Sequence, residues 1–152
     1  MRFKRFKALL NPSLALLCLG FSLISHAEFR SVGVVKAVLF DAPSAEASKT
    51  FILNQGYPVE VIVNLGQWLK VRDQLGSLNW IESKNLAPKR TVLVTKKTDI
   101  RSTGDISSPL VAAVDKDVVL ELISNVNKNG WIEVKHRDGL AGFVLATDVW
   151  GF

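Results

Sequence analysis

The chain repeats itself. From Trp68 it reads WLKVRDQLGSLNWIESKNL, and from Trp131 it reads WIEVKHRDGLAGFVLATDV. Laid together without a gap, Trp68 meets Trp131, Val71 meets Val134, Gly76 meets Gly139, Trp80 meets Phe143, Ile81 meets Val144 and Leu86 meets Val149, every pair 63 residues apart. Upstream, Val59-Glu60-Val61-Ile62 answers Leu120-Glu121-Leu122-Ile123 if Asn125 to Gly130 is a loop two residues longer than its counterpart. Length changes of that size belong in hairpin loops. A repeat of this length argues against one continuous core and for two small units of like architecture.

Each copy reads as β structure, because apolar residues alternate or run in short stretches bounded by Gly, Pro, Asn and Asp. The expected strands are Val34 to Phe40, Thr50 to Leu53, Pro58 to Val63, Trp68 to Arg72 and Leu78 to Glu82 in the first copy. In the second they are Thr91 to Thr95, Leu110 to Val114, Val118 to Ile123, Trp131 to His136 and Ala141 to Leu145. Ser83 to Leu86 and Ala146 to Val149 each fit a single helical turn. Five short strands in about 60 residues suit a small, highly twisted barrel whose closure protects its edges. The expected domains are 32–88 and 90–150, joined by a connection too short to act as a flexible tether.

Strand alternation assigns faces. With Val71 and Val134 inward, Leu69 and Ile132 point inward too, and Trp68 and Trp131 turn outward. With Ile81 and Val144 inward, Trp80 and Phe143 face out. Gly142 precedes Phe143 where the chain is expected to need either a positive φ or a close backbone approach, and its counterpart is Asn79.

The first 27 residues read as a secretory signal: Arg2, Lys4, Arg5 and Lys7 form a basic start, Leu14 to Ile24 an apolar core, and Ser25-His26-Ala27 a small-residue cleavage pattern. Cleavage is expected after Ala27. An apolar core of 11 residues is short of the roughly 20 that span a bilayer, so no stable membrane anchor is expected once it is removed. The formal charge of +5 comes from 19 basic and 14 acidic residues, and the signal removes four of the bases and none of the acids. The remaining 15 against 14 argues against a nucleic-acid partner, which needs a concentrated basic surface. The single cysteine, Cys18, lies inside the signal, so the mature chain carries neither a disulfide nor a thiol nucleophile.

The spacing [GN]-x-W-x-x-V-[KR]-x(3)-G-x-x-[GN]-[WF]-[IV], present in both copies, resembles the second half of bacterial SH3-type (SH3b) domains. Asp99-Ile100-Arg101-Ser102 is similar to an upstream segment of that family, and Leu39-Phe40-Asp41-Ala42-Pro43-Ser44 departs from it in the first copy. The resemblance implies an all-β protein of two tandem five-stranded SH3-like barrels and a role in cell-wall or peptide targeting. Leu39-Phe40-Asp41 also resembles a loop of eukaryotic SH3 domains, but the residues that finish their proline-peptide groove are missing.

The mature chain holds one histidine, His136, beside Arg137-Asp138 in an expected hairpin turn, where a solvated role outweighs a catalytic one. Asp115 and Asp117 flank Lys116 in another turn and read as turn residues rather than paired acids of a glycosidase. No catalytic residues, metal ligands or cofactors are therefore expected. The remaining candidates are aromatic: Trp68, Trp131, Trp80, Phe143 and Tyr57, with Trp150 as a further exposed or interdomain ring. The expected function is a periplasmic or secreted, non-catalytic module that recognises cell-wall peptide or glycan. The alternative is an adaptor that docks onto an exported enzyme or envelope protein.

Overall fold

A computed structural model describes residues 28–152. The expected signal segment lies outside the described residues. Fourteen strands form two antiparallel sheets of seven. The first holds β1 (Glu28–Val32), β2 (Lys36–Phe40), β3 (Lys49–Asn54), β4 (Pro58–Asn64), β5 (Trp68–Arg72), β6 (Leu78–Glu82) and β7 (Leu86–Ala87). The second holds β8 (Thr91–Val94), β9 (Thr98–Arg101), β10 (Leu110–Val114), β11 (Val119–Lys128), β12 (Trp131–Lys135), β13 (Ala141–Leu145) and β14 (Val149–Trp150). The spatial order β3-β2-β6-β5-β4-β1-β7 recurs, seven strands on, as β10-β9-β13-β12-β11-β8-β14. A 3-10 turn, Ser83–Asn85 or Ala146–Asp148, precedes the last strand of each sheet.

The registers reproduce the repeat residue by residue. Leu69 opposes Ile81 and Val71 opposes Asn79; 63 residues on, Ile132 opposes Val144 and Val134 opposes Gly142. β4 and β11 carry a bulge at matching places, after Val61 and after Leu122. Gly76 and Gly139, at φ 88° and 92°, close equivalent hairpins with a backbone that disfavours a Cβ. The inward rows are as alternation assigns them: Leu39, Val59, Leu69, Val71 and Ile81 fill one core, and Ile100, Leu120, Ile132, Val134 and Val144 the other. Each such side chain contributes about 2 kcal/mol of burial, and the two cores are separate and small.

Three differences from the expected pattern stand out, and one open alternative is resolved. Each sheet has seven strands rather than five, because β1, β9 and the two-residue β7 and β14 add to the count. β1 belongs to the first sheet, pairing with β4 and β7, so that sheet begins four residues before the expected boundary at 32. The expected loop from Asn125 to Gly130 is mostly strand: β11 runs to Lys128 and turns through Asn129 and Gly130, both at positive φ, as a two-residue hairpin does. Gly142 has no positive φ; its need is the close approach, since a Cβ there would fall on the Arg101 carbonyl oxygen and 2.8 Å from Ile100 Cγ2.

The two sheets join without a flexible spacer. The Ser31 and Thr91 hydroxyls lie 2.6 Å apart, and Thr91 donates to the Gly56 carbonyl at 2.6 Å. Arg90 lies over the Phe29 ring, 5.6 Å from its centroid, and donates to the Gly151 carbonyl. Phe29 and Trp150 meet edge to face at 5.1 Å. Pro88-Lys89-Arg90 is thus a packed connection rather than a flexible tether. Among the described residues, no helix is long and apolar enough to cross a membrane.

Candidate functional site

The outer face of β2, β5 and β6 gathers Trp68, Trp80 and Phe40. Leu69 and Val71 point into the core, so Trp68 and Lys70 point out of β5; Asn79 and Ile81 point in, so Trp80 and Glu82 point out of β6. Lys70 opposes Trp80, Trp68 opposes Glu82, and Phe40 at the end of β2 opposes Trp80. The Trp68 ring meets Phe40 edge to face at 5.3 Å, and the Lys70 ammonium stands 5.8 Å from the Trp80 centroid. Glu82 accepts a hydrogen bond from Lys84 at 3.1 Å. Both tryptophans are half-buried, held from beneath and open above. Two rings flanked by a cation and an anion can bury an apolar group while hydrogen-bonding a polar edge.

The second copy has the same scaffold and a different surface. Arg101 stands where the first copy has Phe40, Glu133 where it has Lys70, and Leu145 where it has Glu82. Phe143 stays half-buried, but Trp131 does not face solvent: it is only 7% exposed. The loop between β9 and β10 crosses it, and a Cβ added to Gly104 would stand 3.1 Å from Trp131 Cβ. Arg101 holds that loop, donating to the Ser108 carbonyl at 2.9 Å while paired with Asp99. The outward expectation for Trp131 is therefore corrected. Alternation tells which side of a strand a ring takes, not whether a loop lies over that side.

Tyr57 belongs to neither face. It lies in the groove between the sheets, where its hydroxyl accepts the Gln74 N–H at 3.4 Å, and burial, then the nearby Asp73 and Asp117, hold its phenol above the usual range against that bond. Its counterpart in the second copy is Val118, since both lend their carbonyl to the equivalent β1 or β8 amide. Trp150 is spent on the junction with Phe29. The five candidates thus occupy three places: Trp68 and Trp80 together, Phe143 beside the covered Trp131, and Tyr57 apart. The residues of the seam, Phe29, Ser31 and Thr91, carried no signal in the sequence, because their partners lie 35 residues away or more.

His136 is half-buried in its hairpin, with Nδ1 3.2 Å from Asp138 Oδ2 and accepting the Asp138 N–H. Among the described residues, no group of three or more His, Cys, Asp or Glu is arranged to hold a metal ion.

The sequence profile of the bacterial SH3 domain family matches twice, over residues 33–88 and 96–151. The chain belongs to that family, as two tandem copies. No curated protein matches it by sequence. Among solved structures it is similar to NlpC2 from Trichomonas vaginalis, at 14% identity and a TM-score of 0.38 over 82% of this chain and 48% of that one. NlpC1 from the same organism gives 16% identity and 0.38, over 84% and 47%. An NlpC/P60 family protein from Bacillus cereus gives 16% and 0.38, over 81% and 56%. The chain spans about half the length of these structures.

Proposed function

We propose that the protein is an exported, non-catalytic binding protein of the bacterial envelope that recognises peptide or glycan of the cell wall through the Trp68 and Trp80 face. The observation that carries this reading is the pair of outward, half-buried indoles flanked by Lys70 and Glu82 on a rigid three-strand platform. Rigid rings on strands gain contact area at little entropic cost. The second copy, with Trp131 covered and Arg101 tied to its loop, serves as scaffold in this reading. Export rests on the basic start, apolar core and Ser25-His26-Ala27 pattern of the sequence.

The test is co-sedimentation with purified sacculi. The wild-type protein is expected in the pellet, and Trp68→Ala combined with Trp80→Ala lowers the bound fraction about tenfold. Equal sedimentation of the double variant removes the aromatic face from the site. Fractionation with N-terminal sequencing tests export: a mature chain starting at Glu28 in the envelope is expected, and an unprocessed cytoplasmic chain refutes it.

One observation favours the adaptor reading. β3 is an edge strand, and its Phe51 and Ile52 are 59% and 62% exposed, an arrangement that can accept an added strand from another protein. Absence from the sacculus pellet, with one envelope protein cross-linking to β3, supports that reading over the first.

A further inference from the structure

The seam between the two copies opens into a groove of about 1160 Å³, away from the aromatic face. The same two turns of each copy line it. Gln55 to Tyr57 and the β5–β6 hairpin come from the first; Lys116 to Val118 and the β12–β13 hairpin come from the second. Gly56 and Asp117 hold equivalent left-handed positions there, at φ 83° and 68°, and donate equivalent hydrogen bonds to the Val32 and Val94 carbonyls.

The two walls differ in chemistry. The first copy lines its side with neutral groups: Asn54, Gln55 and Gln74 amides, the Tyr57 phenol and the Ser31 hydroxyl. The linker and second copy bring Lys89, Lys116, Lys135 and Arg137 against the acids Asp117 and Glu121. Glu121 is already paired with Lys89 at 2.8 Å, and no carboxylate of the described residues pairs with Lys116 or Lys135. Between the walls lie apolar side chains, Leu93, Val118 and Val119 among them.

We propose that this groove binds an extended acidic segment of a partner protein, with acidic and apolar residues alternating. A strand's side chains alternate between its faces, so such a segment sets carboxylates toward Lys116, Lys135 and Arg137 and apolar groups toward the Leu93 and Val119 floor. The side-chain amides of the neutral wall suit the exposed backbone of the same segment, since each offers a donor and an acceptor. Unpaired surface lysines favour such an anion through Coulomb attraction that salt weakens. This site does not depend on the wall-binding reading, since none of its charged groups lies on the aromatic face.

The experiment is fluorescence anisotropy of the full chain with a capped six-residue peptide of alternating glutamate and valine, at low salt. Saturable binding is expected, weakened about tenfold by Lys116→Glu with Lys135→Glu, and unchanged by Lys49→Glu on β3. Arg137→Glu alone gives the same direction if the double variant does not fold. The peptide with glutamine for glutamate should bind about tenfold less. Equal binding of the neutral peptide, or indifference to both charge reversals, overturns the proposal. Competition by soluble wall fragments that outlasts the charge reversals assigns the groove to wall peptide instead and equally overturns the protein occupant. Loss of sacculus binding on Trp68→Ala leaves these readings untouched, so the two sites fail separately.

Discussion

Ser31 and Thr91, one from each copy, share a hydrogen bond at 2.6 Å in the buried seam, and Thr91 hands the bond on to the Gly56 carbonyl. Because Thr91 donates to Gly56, Ser31 donates to Thr91, and all three groups are satisfied only while both copies are folded. Thr91→Val keeps the shape and removes the hydroxyl, leaving a buried donor and a buried acceptor unpaired. A loss of about 1–3 kcal/mol is expected in urea unfolding, with one transition for both copies. A loss near zero, or two separate transitions in the wild type, contradicts a shared seam.

Gly142 leaves no room for a methyl group, because its missing Cβ would fall on the Arg101 carbonyl oxygen. Gly142→Ala must push β13 off β9, with an expected cost of about 3 kcal/mol. Gly139→Ala meets nothing in space and pays only for a left-handed backbone, about 1 kcal/mol. Thermal unfolding of the two variants should rank them in that order, and the reverse ranking would mean that backbone conformation outweighs contact.

Asp148 supplies the clearest pH dependence. Its carboxylate is buried, which raises its pKa, but Lys96 at 2.8 Å, Thr98 at 2.6 Å and Thr147 at 2.9 Å donate to it and hold it below the usual carboxylate range. A carboxyl held low in the folded state stabilises above its unfolded pKa of about 4, and that contribution drains away as pH falls through the folded value. Asp148→Asn is expected to cost about 1–3 kcal/mol at pH 7. The gap between variant and wild type narrows below about pH 4. Urea titrations at several pH values check this; a gap independent of pH refutes it.

Trp68 and Trp131 occupy one position of the repeat but answer mutation differently. Trp131→Ala empties a packed site beneath the β9–β10 loop and should cost about 3–5 kcal/mol of stability. Trp68→Ala removes a half-buried ring and costs less than half as much, while abolishing the face with Trp80. Chemical denaturation of both distinguishes them. Equal losses would mean that Trp68 is as much a core residue as its counterpart.

Much of the fold was legible from the repeat alone, because two copies constrain one alignment. Trp68–Arg72, Leu78–Glu82, Leu110–Val114 and Ala141–Leu145 are strands over the limits that alternation predicts. Glu28–Val32 was not visible, since Glu-Phe-Arg-Ser-Val follows the signal pattern and gains its strand only by pairing with β4 and β7. Thr98–Arg101 is missing from the expected strands because four residues bounded by lysines and serine show no period. The aromatic face was partly legible: the side that Trp68 and Trp80 take follows from Leu69 and Ile81. Coverage of Trp131 depends on a loop held by Arg101 and Ser108, and the groove depends on how two finished sheets meet; neither is a local property.

The edge-to-face contact of Phe29 with Trp150 brings the first and last strands of the described chain together. A short glycine bridge from Phe152 back to Glu28 therefore has little distance to cover, and a new opening cut at the exposed turn around Gly66 disturbs neither core. A domain joined before Glu28 or after Phe152 leaves from the pole where these two rings touch.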